Sequence, residues 1–263
     1  MFVLALLALG GTPEDEIPKL AAELGITAFE AGQLLRGTLP SIVLKSPDRA
    51  PVVDLLGKLR SRGHDAVACD AGAVAASEAM HELRGFRFEA EALVSLNLNG
   101  SSESLPWSDL VALVRATHKV VGGTAETSRE RKFDLGRAVL TQGLSTHKTV
   151  TKQTVRETEV REPVLYLYRR GGPPWLASES RCRYEGLGAE LRPARPENFN
   201  TLVRLLRERL PSVPYDDRLV RVRAGGERVQ GDLLGAQSGS SNVGAVDLLA
   251  HLVAMSLVKP KPV

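Results

Sequence analysis

Few side chains in this sequence combine the type and the spacing that catalysis or metal binding requires. The five histidines are His64, His81, His118, His147 and His251. None of them has an HxxxH, HxH or CxxC companion, so the spacing predicts no metal site. Gly122-Gly123-Thr124 lacks the lysine of a P-loop, and Ser238-Gly-Ser-Ser241 lacks the flanks of a nucleophile elbow. We therefore expect no metal and no cofactor.

The chain contains two cysteines, Cys69 and Cys182, which are too few and too far apart for a disulfide framework. This usage is typical of a reducing cytosol. Arg181 and Arg183 would lower the pKa of the Cys182 thiol if they faced it. Alternation along a strand would instead point both arginines to the opposite side, which favours a buried and unreactive thiol.

Asp216 and Asp217 follow Tyr215 and are a second candidate for chemistry, as a carboxylate pair for acid–base work or cation binding. Adjacent residues rarely face one target, so a turn or helix cap after Pro214 is the favoured alternative. The sequence favours a non-enzymatic protein over an enzyme. Any activity would depend on Cys182 or Asp217.

Trp175 is a candidate for binding a protein partner. It follows Gly171-Gly-Pro-Pro174, which predicts a hairpin tip, and Arg169 and Arg170 lie just before that turn. Tryptophan and arginine dominate binding hot spots, so we expect these three side chains to contact a partner. A tryptophan folded back over the mouth of its own domain is the competing interpretation.

Lys148 and Lys152 belong to the most basic stretch of the chain. Residues 129–170 contain ten Lys and Arg against five Asp and Glu. Because acidic residues alternate with the basic ones, a solvated strand face that contacts a partner is the favoured interpretation. The alternative is a surface for the phosphates of anionic lipid or nucleic acid.

The composition is that of a globular protein: 263 residues, 43% hydrophobic and 25% charged. Residues 1–80 carry a net charge of −3 and residues 81–263 a net charge of +6, which suggests two modules. Residues 2–9 are apolar, but no basic residue precedes them and acids follow, so a strand is favoured over a signal peptide. Residues 243–258 are apolar but too short to cross a bilayer and contain Asp247. We expect a soluble, cytoplasmic protein.

Residues 1–70 predict a small α+β module with the order β, α, α, β, α, β. Thr12 before Pro13 and three acids marks the first helix start, and Gly25 marks its end. A second helix runs from Thr27 to Gly37, and a third begins after Pro47-Asp48. Strands are expected at residues 2–9, 41–45 and 66–69.

This order, together with the segment Gly25-Ile-Thr-Ala-Phe-Glu-Ala-Gly-Gln-Leu-Leu35, resembles the C-terminal domain of the ribosomal stalk protein of the large subunit. The following Pro40 and the Gly63-His-Asp-Ala-Val turn match in order. The resemblance implies the fold alone. The stalk domain recruits translation factors through lysines on this helix pair, and the matching positions here are Phe29 and Gly32.

After a linker at residues 71–83, residues 84–211 predict several strands and one closing helix. Alternation from Phe86 to Leu98 shifts its register at Ala92-Leu93, which predicts a bulge. Apolar strands are expected at 111–117 and 163–168, with shorter strands at 182–184 and 189–191. An amphipathic helix begins near Glu197 and ends at Pro211.

This order of elements, with the motif Leu105-Pro-Trp-Ser-Asp-Leu110, resembles a bacterial pleckstrin-homology-like domain. The resemblance implies a β-barrel capped by a C-terminal helix. Residues 121–162 are an insertion into that pattern and are rich in threonine, which predicts a long β arm. Residues 212–263 are expected to form a tail with an apolar helix at 243–258.

The leading functional hypothesis is a non-enzymatic cytoplasmic scaffold that holds a protein partner through the basic barrel and its arm. Peripheral binding of anionic lipid or nucleic acid through residues 129–170 is the first alternative. Self-association through the arm or through residues 243–258 is the second. An enzyme is the least favoured interpretation.

Overall fold

A computed structural model describes residues 1–97, 100–133, 147–221 and 241–258, with the backbone alone for 120–133 and 147–159. The fold is of the α+β class, as the sequence predicts. Within the described residues, five α-helices accompany eleven strands in three sheets.

The first seventy residues follow the predicted order of strands and helices. The elements are β1 Phe2–Ala8, α1 Pro13–Leu24, α2 Ala28–Arg36, β2 Ser41–Ser46, α3 Arg49–Ser61 and β3 Asp65–Asp70. The side chain of Thr12 accepts a hydrogen bond from the Asp15 backbone amide, and Gly25 ends α1 with a φ of 65°. Thr27 and Glu30 form a capping box at the start of α2.

These elements form the first sheet, which is antiparallel with the strand order β2-β1-β3. Alternate residues of β1 face opposite sides. Leu4 and Leu6 pack against the three helices, whereas Val3, Ala5 and Leu7 face the other way, toward a second core. Both faces of the first sheet are therefore covered.

The rest of the chain supplies two further sheets and two helices. Their elements are β4 His81–Glu82, β5 Phe86–Phe88, β6 Ala92–Leu96, β7 Ser102–Pro106, β8 Leu110–Phe133, β9 His147–Arg169, β10 Trp175–Ser178, α4 Arg195–Arg209, β11 Tyr215–Leu219 and α5 Val243–Val258. The second sheet has the order β11-β8-β9-β10-β4, and the third has the order β5-β6-β7. Strand β11 runs parallel to β8 and β4 runs parallel to β10, while the other pairs are antiparallel.

The structure corrects two local predictions. Residues 86–96 form a hairpin, in which Phe88 pairs with Leu93, rather than one strand with a bulge. Residues 182–184 and 189–191 form no strand, and a 3₁₀ segment occupies Glu185–Glu190. Among the described strands no closed barrel is found, since they lie in separate sheets.

Helix α5 lies between the first and second sheets. Leu248, Leu249 and Leu252 join one hydrophobic cluster with Val3 of β1 and Val114 of β8. Because both sides of α5 meet a sheet, the helix is apolar on every face. The segment predicted to be a tail thus supplies both the edge strand β11 and a core helix.

The opposite face of the second sheet packs against α4 and the third sheet. Leu165 and Leu167 of β9 join a cluster with Phe199 and Leu206 of α4 and Phe86 of β5. The layers follow one another as helices α1–α3, first sheet, α5, second sheet, and then α4 with the third sheet.

Two glycines of the small module provide a matched test of its packing. A Cβ at Gly10 would lie 2.3 Å from the Gly63 carbonyl oxygen, whereas one at Gly57, inside α3, would meet nothing within 4 Å. We expect Gly10→Ala to lower the free energy of unfolding by about 1–3 kcal/mol through overpacking. Gly57→Ala should raise it by about 0.5–1 kcal/mol, because alanine favours the helix. Urea unfolding measures both, and equal effects of the two substitutions would contradict the packing described.

Candidate functional site

The most distinctive feature of the fold is the length of the β8–β9 hairpin. The ladder continues without a register shift from Ala112↔Tyr168 to Phe133↔His147. Strand β11 pairs with β8 only as far as Ala116, and β10 pairs with β9 only as far as Val164. We call the fourteen pairs from Val120↔Val160 to Phe133↔His147 the arm. At about 3.3 Å per residue, the arm is about 45 Å long.

Both edges of the hairpin are held at the base of the arm. On the β8 side, the Lys119 amide donates to Asn242 Oδ1 at 2.7 Å, and the Asn242 amide donates to the Lys119 carbonyl oxygen at 3.1 Å. On the β9 side, the Glu179 amide donates to the Pro163 carbonyl oxygen at 3.0 Å. In the described part of the chain, no strand pairs with an outer edge of the arm beyond these points.

A buried polar cluster lies directly below the base of the arm. Asp247 of α5 is 2% exposed and accepts hydrogen bonds from the Ser77 amide at 2.8 Å, the Ser77 hydroxyl at 2.6 Å and the Tyr166 hydroxyl at 2.5 Å. His118 Nε2 lies 2.7 Å from the Tyr166 oxygen. Because the tyrosine hydrogen goes to Asp247, the imidazole donates this bond. We call Ser77, His118, Tyr166 and Asp247 the Asp247 cluster.

The surroundings in the Asp247 cluster favour the neutral forms of Tyr166 and His118. Burial, with the charge of Asp247, raises the pKa of Tyr166 well above its ordinary value. Burial lowers the pKa of His118, and the nearby Asp247 carboxylate opposes that shift. The cluster therefore holds one carboxylate among neutral hydrogen-bond donors, and it connects α5, the second sheet and the segment before β4.

The structure corrects the prediction that Trp175 is exposed. Its side chain is 0% exposed, and its ring lies 4.4 Å from that of His81. The tryptophan is folded into the core between the second sheet and α4, which was the competing interpretation. Trp175 is therefore unable to contact a partner from this position.

Arg169 and Arg170 differ in their availability. The Arg169 guanidinium donates to the Pro173 carbonyl oxygen at 3.0 Å and forms an ion pair with Glu103 at 3.3 Å. Its contacts are thus internal. Arg170 is exposed. Lys148 and Lys152 lie in the β9 strand of the arm, opposite Lys132 and Ser128, and their side chains are outside the described residues.

Sequence reasoning missed one arrangement that resembles catalytic machinery. Ser95 Oγ lies 2.8 Å from His81 Nε2, and His81 Nδ1 lies 3.1 Å from Glu103 Oε2. This is the connectivity of a serine hydrolase triad. However, Ser95 is 0% exposed in the middle of β6, so its hydroxyl has no access to a substrate. The three residues join β4 to the third sheet, and no spacing motif in the sequence could have revealed them.

The two groups on which the enzyme interpretation depends do not form a site. Cys182 is 2% exposed, and burial raises the pKa of its thiol to about 12, so the thiolate is scarce at neutral pH. Asp216 forms an ion pair with Arg218 at 2.8 Å, whereas Asp217 is exposed. The two carboxylates thus lie in different surroundings.

Metal centres and membrane-spanning helices are both missing from the described residues. No group of three or more His, Cys, Asp or Glu side chains there could hold a metal ion. None of the helices in those residues combines the length and the apolar character needed to cross a membrane. In comparisons with known proteins, no family model, curated protein or solved structure matches the chain significantly.

Two neighbouring tyrosines of β9 test the energetic role of the Asp247 cluster. The Tyr166 hydroxyl binds Asp247, whereas the Tyr168 hydroxyl is buried and has no hydrogen-bond partner among the described residues. We expect Tyr166→Phe to lower the free energy of unfolding by about 1.5–3 kcal/mol, because it removes a hydrogen bond to a charged group. Tyr168→Phe should be neutral or slightly stabilising. Urea unfolding of both variants checks this, and a loss of similar size in both would show that the cluster has no special role.

The buried histidines predict a dependence of stability on pH. Burial lowers the pKa values of His118 and His251 in the folded state. The unfolded chain therefore binds more protons below about pH 6.5, and stability is lost as the pH falls through that value. We expect His251→Leu to reduce the difference in the free energy of unfolding between pH 7.5 and pH 5.5. An unchanged difference would mean that His251 is readily protonated in the folded protein.

Proposed function

We propose that the protein is a non-enzymatic, cytoplasmic scaffold that holds a protein partner through the arm. The observation that carries the proposal is the run of fourteen β8–β9 pairs beyond the last neighbouring strand of the described residues. The edges of such a ribbon carry N–H and C=O groups that pair readily with another strand.

The physics of a two-stranded ribbon supports a binding role. An isolated hairpin is marginally stable in water, and at least a third strand or a packed face is needed for independent stability. The arm would gain that third strand from its partner. The fixed base, held by Asn242 on one edge and Glu179 on the other, would keep the direction of the arm constant.

The charge of the arm supports a protein partner over a phosphate surface. The arm contains six Lys and Arg and four Asp and Glu, so its net charge is only +2. Binding to nucleic acid or anionic membrane depends on several cations at a time and weakens steeply with salt. A mixed-charge strand edge is better suited to pairing with another polypeptide.

The architecture supports two further proposals about fold. We propose that residues 1–70 share the fold of the ribosomal stalk C-terminal domain, which is supported by their β-α-α-β-α-β order and antiparallel sheet. We also propose that residues 84–211 are a pleckstrin-homology-like domain with an extended hairpin. Two packed sheets followed by α4 support this. Neither proposal assigns the activity of those families to this chain.

Shortening the arm tests the proposed function. In the test variant, Asn-Gly replaces residues 124–156 and joins Gly123 to its ladder partner Glu157. In the matched control, Asn-Gly replaces residues 134–146 and joins Phe133 to His147, so the fourteen pairs remain. We expect affinity-tagged control protein, but not the shortened protein, to retain its partner from an extract of the native host. Mass spectrometry of the retained proteins is the measurement.

Three outcomes would argue against the proposal. Equal capture by the shortened and control proteins would show that the arm is not the binding element. A mass in solution that doubles with concentration for the control alone would assign the arm to self-association. Retention on heparin or anionic vesicles that falls steeply between 50 and 200 mM salt would favour the phosphate-binding alternative.

A further inference from the structure

A second surface, remote in sequence from the arm, has the properties of a binding groove. It lies where the chain leaves α4 and enters β11, and its volume is about 600 Å³. Its apolar lining residues are Leu210, Pro211, Val213 and Pro214, and Arg204, Arg207, Glu208 and Tyr215 line it as well. We call it the α4 groove. Its volume lies in the range of ligand sites in proteins.

Two arginines converge on one tyrosine at this groove. The Arg207 guanidinium carbon lies 4.3 Å from the centre of the Tyr215 ring. Arg115 lies beside the Tyr215 hydroxyl and donates to Asn200 Oδ1 at 2.7 Å. Within the described residues, neither arginine forms an ion pair with a carboxylate. Arg207 therefore lines the groove without an ion pair among the described residues, whereas the charge of Arg115 also acts on Glu179.

The acid among the described lining residues is Glu208, and it is already paired. Glu208 and Glu190 both form ion pairs with Arg204. Asp217, whose charge acts on Tyr215, is exposed. A last-turn arginine also suits the negative end of the helix dipole, but the dipole alone gives no reason for Arg207 to lie over an aromatic ring.

Arg207 is exposed and lies over the Tyr215 ring, a position from which it can bind an anion. A guanidinium beside an aromatic ring still carries N–H donors that match a planar acceptor such as a carboxylate. The apolar lining residues beside it favour proline or aliphatic side chains, which an inorganic anion lacks. The groove thus combines one unpaired arginine with apolar lining residues.

We propose that the α4 groove binds an acidic segment of a partner protein. An extended peptide would place apolar or proline side chains on Leu210, Val213 and Pro214 and one carboxylate on Arg207. The segment is defined by this chemistry, and its recognition is independent of the arm.

A library of random heptapeptides displayed on phage, selected on the full-length protein, tests the proposal. We expect selected peptides to share one Asp or Glu next to proline or aliphatic residues. Fluorescence anisotropy of a selected peptide should show about tenfold weaker binding to Arg207→Ala, the loss expected for a hydrogen bond between charged groups. Arg192→Ala is the matched control, since Arg192 is also exposed but precedes the opposite end of α4. Its binding should change less than twofold.

A double-mutant cycle separates the specific contact from general charge. Changing the peptide carboxylate to its amide should weaken binding to the wild type about tenfold but have little effect on Arg207→Ala. Failure to enrich any peptide family, equal losses for Arg207→Ala and Arg192→Ala, or additive effects in the cycle would each overturn the proposal. Selection of phosphate-mimicking peptides that heparin displaces from both variants would overturn it as well. The arm-shortened protein should bind the same peptides, so this result and that for the arm remain distinguishable.

Discussion

The arrangement of the core depends on the burial of one carboxylate in an otherwise apolar helix. Asp247 is 2% exposed, and an ionised carboxylate at such a depth is very unfavourable unless it is hydrogen-bonded. Ser77 and Tyr166 supply its donors. An apolar helix between two sheets has many orientations of similar packing energy. Only those that bring Asp247 against both donors avoid an unpaired charge, so the carboxylate fixes the rotation and the register of α5.

The same cluster links the core to the surface. His118 on β8 and Tyr166 on β9 lie where these two strands connect the second sheet to the arm. Asn242, which precedes α5, closes the edge of β8 at Lys119. The residues that fix the packing of α5 therefore lie within a few positions of the residues that fix the direction of the arm. A change in α5 would therefore reach both the base of the arm and the first sheet, against which α5 packs.

Local signals in the sequence predicted the small module well. Thr12, Gly25 and the Thr27–Glu30 pair act on residues three or four positions away, so their effect is visible in the sequence itself. The helix at Arg195–Arg209 was equally predictable, because its apolar positions repeat with the helical period. The class of the fold follows from these elements.

Contacts between distant residues could not be predicted in this way. Ser77 and Asp247 are 170 positions apart, and nothing in either neighbourhood indicates the other. Trp175 follows a turn whose composition suggests exposure, but its burial depends on His81 and α4, which approach it only in the folded chain. The α4 groove has the same origin, because Arg115 and Arg207 meet at Tyr215 through tertiary packing alone.

The position of α5 in the chain has a consequence for biosynthesis. The ribosome makes β8, β9 and the first sheet well before it makes Val243–Val258, which covers a face of both sheets. Until then Val3, Ala5, Val114 and Val164 have no helix to pack against. The nascent chain therefore exposes two apolar sheet faces and the edges of the long β8–β9 hairpin at the same time. This combination favours aggregation. The core is complete only after α5 has been made. The direction of the arm is fixed only at that stage.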